Sequence, residues 1–383
     1  MNLLFLDSID KNTYGGMEEW IKLVGAGLHK KGHNIYIAGR DNSKFLKRIS
    51  ADNPDIEQIP LNISGDFNPA TIAKIYSEIK SKQIDIIVVN FNKDLRLGGL
   101  AAKLDKDCKV IWSPGLDITK NSLVHKVLTP KLVDGVIVPS EALKKQITKF
   151  DYITPEQVEV IPIGIPETVL SIDKKAAREK VLEKFGLNES AFICVTSGRF
   201  VDQKGHRYLI EAAPKIIEKC PEIVFLFLGD GQLKNELESM IKEQKLETYF
   251  VLAGMLDTNK VAEILPGCDL MIHPSIEEPF GIALLEGMRA ELAVVASRVG
   301  GIPEVVMENE TALLVESKNA AEIAAAVLTL KLSEDKLRQM AQAGKTRWQN
   351  VFGYSKMIDK IESYLEGFVN SEKTYGTSET ART

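Results

Sequence analysis

Apolar residues in this chain fall into two alternating rhythms. Short, nearly continuous runs such as NLLFLDS (2–8) give way to stretches with helical spacing, and the exchange repeats along the sequence. After the first run, Met17, Trp20, Ile21, Val24 and Leu28 recur at i, i+3, i+4, i+7 and i+11, an amphipathic helix closed near Gly32. NIYIAG (34–39) predicts the next strand, and IEQIPL, DIIVVN, KVIWSPG, DGVIVPS and VEVIPIG continue the series. Each is separated from the next by room for a helix or a long loop. Strands that are apolar on both faces belong to parallel sheets covered on both sides.

Pro162, Gly164 and Pro166 interrupt the pattern within IPIGIPETVL (161–170), the best place for a domain boundary. The alternation then restarts with FICVTSG, a helix from about 206, IVFLFLGDG and a helix from about 232. YFVLAG, DLMIHPS, a helix containing Glu286, and AVVASRV follow. Two successive βαβ series predict two doubly wound α/β domains, residues 1–167 and 168–353, facing each other across a cleft. In such sheets ligands gather beyond the carboxyl ends of the strands, so the loops after strands are where chemistry is expected. The polar tail 370–383 is expected to be disordered.

Composition narrows the classes. A chain of 383 residues is too long for one comfortable core, and its 44% apolar and 26% charged residues are an ordinary globular balance. A formal net charge of −5 gives no whole-chain case for nucleic-acid binding. The first 165 residues carry 22 Lys/Arg against 20 Asp/Glu, the remainder 26 against 33, so the N-terminal half is the one suited to an anionic partner. Four Cys without close spacing read as buried thiols in a reducing compartment, and five scattered His offer no metal cluster. MNLLFLDSIDK lacks the basic start of a signal peptide, and no apolar run reaches the roughly 18 residues of a membrane span. A cytoplasmic protein is expected.

Several loops after predicted strands carry chemistry. In DSIDKNTYGGMEEW (7–20), Gly15 and Gly16 permit close backbone approach where a helix begins, a place for a phosphate or a plain turn. No GxGxxG occurs, which argues against a dinucleotide oxidoreductase. In TSGRFVDQKG (196–205), Arg199 and Lys204 stand beyond a strand end and suit a diphosphate. LFLGDGQLKNEL reads as a tight turn, since its Asp230 lacks a second carboxylate for a metal. SRVGGIPEVV (297–306) is either a site-lining loop or a turn.

IEEPFGIALLEGM (276–288) places Glu278 beside Pro279, at the start of a helix expected from about Phe280, and Glu286 inside it. The two carboxylates are about 12 Å apart along the path at 1.5 Å per residue. Glycoside-hydrolysing pairs are closer, about 5–9.5 Å apart, so gripping two parts of one elongated ligand fits better. Helix-dipole complementarity for Glu278 and a salt bridge for Glu286 are the plainer alternatives.

These residues resemble retaining glycosyltransferases of the GT-B fold, specifically family 4, the glycosyl transferases group 1. The resemblance rests on GGME (15–18) with HKKGH, GRFVDQKG (198–205), LGDGQLKNEL, CDLMIHPSIEEPFGIALLEGM (268–288) and VVASRVGGIPEVV (294–306). It implies two Rossmann-like domains, with a C-terminal helix near 354–368 packed back on the first. It also implies that Glu278 contacts the donor sugar and that Phe280, Gly281 and Ile282 offer backbone amides to sugar and diphosphate. Glu286 would hold the ribose, Arg199 and Lys204 would neutralise the diphosphate, and Gly15 and Gly16 would approach it from the first domain. Glu278, Arg199 and Lys204 are thus the expected catalytic set, with no metal and no cofactor beyond a UDP-sugar or GDP-sugar donor.

Many members carry His-Gly where this chain has Pro114 in WSPGLD. Asn90, Asn92 and Asp117 are nearby polar residues that would substitute for the histidine, and Asn92 and Asp117 are assigned to the acceptor side. The expected activity is sugar transfer, with retention, to a saccharide or lipid-linked acceptor in cell-surface polysaccharide or lipopolysaccharide synthesis. A catalytically silent sugar-nucleotide binder and a nucleotide-sugar 2-epimerase are the alternatives. NSKFLKRI (42–49) and TKNSLVHKVLTPK (119–131) mix bases with apolar residues and would suit a peripheral contact with the inner membrane face, as well as ordinary solvated helices.

Overall fold

The computed structural model describes residues 1–105, 107–116, 118–167 and 173–376, with side chains as far as 370. The chain divides into two compact units, one of Met1–Ile163 with the segment from Ser355 onward, the other Gly164–Tyr354.

The first unit holds seven strands: β1 (Asn2–Asp7), β2 (Asn34–Arg40), β3 (Glu57–Leu61), β4 (Ile86–Val89), β5 (Lys109–Trp112), β6 (Gly135–Val138) and β7 (Val158–Val160). They form one parallel sheet in the order β3-β2-β1-β4-β5-β6-β7, with Leu6 between Ala38 and Val89. The order reverses between β1 and β4, the position where doubly wound sheets bind ligands. Every residue of β4 and β6 is buried, as the continuous apolar runs require of a sheet covered on both faces. The helix Gly16–Lys30 packs Trp20, Ile21, Val24 and Leu28 inward, the stripe that the helical spacing defined.

The helix Tyr354–Gly376 lies against this sheet. Val136 N–H donates to the Tyr364 hydroxyl at 3.1 Å, and Gly135 leaves the space that Tyr364 and Phe368 fill. Lys31 and His33 both bond Glu362, at 2.5 and 2.8 Å. The helix continues past residue 370, because NSEKTY contains no breaker before Gly376. Of the tail expected to be disordered, residues 377–383 lie outside the described residues.

The second unit holds β8 (Phe192–Ser197), β9 (Ile223–Leu228), β10 (Phe250–Leu252), β11 (Leu270–His273), β12 (Ala293–Ser297) and β13 (Ala312–Val315). Their order is β10-β9-β8-β11-β12-β13, again parallel, with the reversal between β8 and β11. The core joins Cys194, Phe225, Phe227, Ile272 and Val295 of the sheet to Leu209, Ile210 and Ile216 of the helix His206–Lys219. Its Phe225 and Phe250 rings stack at 4.8 Å. The edge strand β13 was not foreseen. It is a short apolar run, ALLV, whose middle two residues, Leu313 and Leu314, are half-buried at the sheet edge.

Candidate functional site

The carboxyl ends of β8, β9, β11 and β12 carry four loops that lock together through backbone contacts. Phe200 N–H donates to Asp230 O at 2.9 Å and Leu233 N–H to Phe200 O at 3.0 Å, joining the loops after β8 and β9. Ile276 N–H donates to Gln203 O at 2.7 Å, joining those after β8 and β11. Gly205, at φ +64°, fits there because a Cβ would lie 2.0 Å from Pro274 O. Gly301 N–H donates to Glu278 O at 2.9 Å, and a Cβ on Gly300, at φ +52°, would lie 2.0 Å from the same oxygen. The glycine pairs of this unit therefore work as close-packing points that fix the loop holding Glu278.

Glu278 is the centre of the assembly. Its Oε2 lies 2.6 Å from Lys204 Nζ and 2.7 Å from His273 Nε2, with Ser275 Oγ at 3.3 Å. Lys204 follows β8 and Glu278 follows β11, so the pair spans the switch point of the sheet. Burial alone would raise the Glu278 carboxyl, since it is only 8% exposed. The Lys204 charge and then the His273 hydrogen bond and charge outweigh it, and the carboxyl is held well below the usual range. Glu278 is held as an anion with Lys204 and His273 against one of its oxygens. His206 lies beneath, edge-on to Phe200 at 5.0 Å; burial first, then His273 and Lys204, press it down to about 3, so it stays neutral.

His273 and Ser275 were not singled out in the sequence, although both lie in the HPS segment immediately before the paired glutamates. Their signal was there: polar residues ending a strand that is otherwise wholly apolar.

The other residues of this unit expected to contact the donor lie on the loops after β8 and β11 and on the helix that follows β11. Arg199 is exposed two residues beyond β8, and among the described residues its side chain forms no ion pair. The helix begins at Ile282, later than the expected start near Phe280, because Gly281 takes φ +107° and interrupts the turn. Phe280 is buried and packs edge-on against Phe352 at 5.9 Å, so only its backbone is available to a ligand. The helix Ile282–Arg289 buries Leu284, Leu285, Gly287 and Met288, leaving Glu286 half-buried off that face, where its charge acts on Arg289. Arg289 in turn donates to Pro166 O at 2.9 Å.

In the first unit, Gly15 and Gly16 start the helix Gly16–Lys30, and Gly15 N–H donates to Glu18 Oε2 at 2.5 Å. Asn92 donates its amide to Ile118 O at 2.7 Å. Pro114 is buried, beside a Gly115 that packs on Met17. Asp117 lies outside the described residues. Beneath the Gly15–Gly16 loop is a cluster that sequence reading missed: Asp7, Glu18 and Asp94, all buried. Burial, then Asp94 and Glu18, raise the Asp7 carboxyl, and burial raises Asp94 to about 7 against hydrogen bonds from Ser8, Phe91 and Asn90.

Comparison with known proteins matches this architecture. The model of the glycosyl transferases group 1 matches residues 177–347, and that of glycosyltransferase family 4 matches residues 14–168. The two together span most of the chain, and the protein belongs to this family of glycosyltransferases. A relative from Mycolicibacterium smegmatis, alpha-maltose-1-phosphate synthase, is 31% identical over 60% of this chain and 62% of its own length. The Escherichia coli UDP-Gal:alpha-D-GlcNAc-diphosphoundecaprenol alpha-1,3-galactosyltransferase is 28% identical over 81% of this chain and 82% of its own. Among solved structures, Anabaena HepE in complex with UDP and glucose superposes with a TM-score of 0.84 at 20% identity, covering 96% of this chain and 99% of that one. A glycosyltransferase from Rickettsia africae gives 0.83 at 23% identity, covering 96% and 98%. These likenesses establish the GT-B fold.

Proposed function

We propose that the protein transfers a sugar from a nucleoside-diphosphate sugar, UDP- or GDP-linked, to a saccharide or lipid-linked acceptor with retention of configuration. The observation that carries this reading is the Lys204–Glu278 pair across the switch point of the second sheet. Lys204 and the exposed Arg199 supply positive charge for a departing diphosphate, the kind of electrostatic term that dominates such catalysis. Glu278 is an anion fixed to grip sugar hydroxyls and to face positive charge developing at the anomeric carbon. Glu286 takes the ribose, and the amides at Gly281 and Ile282 take the diphosphate at a helix N-terminus. In the reaction the bond from the anomeric carbon to the diphosphate oxygen breaks and a bond to the acceptor oxygen forms on the same face. The acceptor's proton passes to the departing phosphate.

The acceptor falls to the first unit. Support for a lipid-linked one comes from the helix Leu123–Leu132, which exposes Leu123, Val124 and Val127 beside Lys126 and Lys131. The E. coli relative is named for a diphosphoundecaprenol acceptor, consistent with a place in cell-surface glycan synthesis.

The test is release of UDP or GDP from a panel of sugar nucleotides, with the anomeric configuration of the product read by proton NMR. Turnover that is lost in Glu278→Ala and gives the donor's own anomer supports the reading. Binding without turnover points to a silent binder, an inverted product removes retention, and epimerised free sugar points to the epimerase.

A further inference from the structure

The Glu278 carboxylate has three groups on one oxygen, and they differ in how they are anchored. Lys204 reaches Oε2 with a four-carbon stem that is 25% exposed, while His273, the last residue of β11, and Ser275, two residues on, are both buried. His273 Nε2 lies 2.7 Å from Oε2, which places the ring proton on Nε2, and the Ser275 hydroxyl, 3.1 Å from Nε2, donates to the same oxygen at 3.3 Å. Among the described residues Oε1 makes no hydrogen bond, so all the fixing is done from one side.

The arrangement has a consequence if, as proposed above, this unit binds a nucleoside diphosphate. A diphosphate carries more charge than one carboxylate and competes for Lys204. A lone carboxylate buried as deeply as Glu278 would resist losing its only cation, because an unpaired buried charge is costly. With His273 and Ser275 already on Oε2, the ammonium can leave and the carboxylate stays both hydrogen-bonded and aimed. We propose that His273 and Ser275 are positioning residues that hold Glu278 in place when a nucleoside diphosphate draws Lys204 away from it. Lys204 then serves in turn as counter-ion to Glu278 in the free protein and to the diphosphate in the complex.

A double-mutant cycle on nucleotide affinity tests this, with UDP and GDP as probes and calorimetry as the readout. His273→Leu and, separately, Ser275→Ala leave Glu278 dependent on Lys204, and His273→Leu is expected to weaken the better nucleotide by about tenfold, Ser275→Ala by about threefold. His273→Gln, which keeps an N–H donor, is expected to restore affinity to within about threefold of the parent. In a Glu278→Ala background the same His273→Leu change is expected to alter affinity by less than about twofold. Affinity unchanged by both single variants in the parent overturns the proposal. So does an equal loss with and without Glu278, since that marks a packing role for His273. A parent protein that binds neither nucleotide overturns instead the nucleotide-sugar reading on which the proposal rests.

Discussion

Lys204 Nζ lies 2.6 Å from Glu278 Oε2, although the two residues are 74 apart in sequence. They meet because β8 and β11 are neighbours in the sheet, while β9 and β10, which lie between them in sequence, stand on the other side of β8. Lys204→Ala is expected to lower donor turnover by about 100-fold, the scale of removing one group that stabilises a developing charge. It should cost only about 1–3 kcal/mol of stability, because His273 and Ser275 still bond the carboxylate. Initial rates and thermal melts of the same preparation check both halves.

The same pair sets an acid limit. The Glu278 carboxyl is depressed in the folded state, so its contribution to stability is present above the ordinary carboxylate range and is lost as pH falls below it. Melting of the second unit should decline from about pH 5 downward, and Glu278→Gln should flatten that limb. An unchanged slope in the variant would assign the acid limb elsewhere.

Asp94 predicts the opposite sign in the first unit. Its carboxyl is raised to about 7, so the folded state favours the protonated form and stability is lost as pH rises from the unfolded carboxylate range toward 7. Asp94→Asn keeps the acceptor for Phe91 N–H and cannot ionise. It should raise the melting temperature by a few degrees at pH 8 and by less at pH 5. Equal shifts at both values would contradict the assignment.

Gly300→Ala probes the backbone support of Glu278. Its Cβ would meet Glu278 O at 2.0 Å at a φ of +52°, so either the loop moves or the residue is strained. A loss of about 2–4 kcal/mol is expected. Turnover should fall further than nucleotide affinity, because Glu278 moves while Lys204 does not.

Leu123→Glu with Val127→Glu tests the surface contact. Leu123 is 77% exposed and Val127 41%, so neither change disturbs the core. Co-sedimentation of the parent with vesicles containing phosphatidylglycerol, reduced about tenfold or more in the double variant, is the expected result. Parent and variant that both stay in the supernatant would remove membrane contact from the proposal.

Much of this was legible in the sequence. Apolar runs located twelve of the strands, most clearly the fully buried β4, β6, β9 and β11, whereas the four-residue edge strand β13 was passed over. Lys204 and Glu278 were legible as loop residues at strand ends, but their direct contact was not, since sequence gives no distance between loops 74 residues apart. His273 read as part of a strand, and only the fold of the loop after β11 brings its ring within 2.7 Å of Glu278. The buried acids were harder still: Asp7, Glu18 and Asp94 look like ordinary loop and helix-start residues until the first sheet brings them together.

The central claim is that this unit binds a nucleoside-diphosphate sugar at the Lys204–Glu278 pair. A thermal-shift panel of UDP-, GDP- and ADP-sugars tests it most directly. A matching donor at 100 times its dissociation constant should stabilise the parent by about 2.7 kcal/mol. The shift should shrink in Lys204→Ala and Arg199→Ala. No shift from any sugar nucleotide, or one unchanged by both substitutions, would contradict the claim.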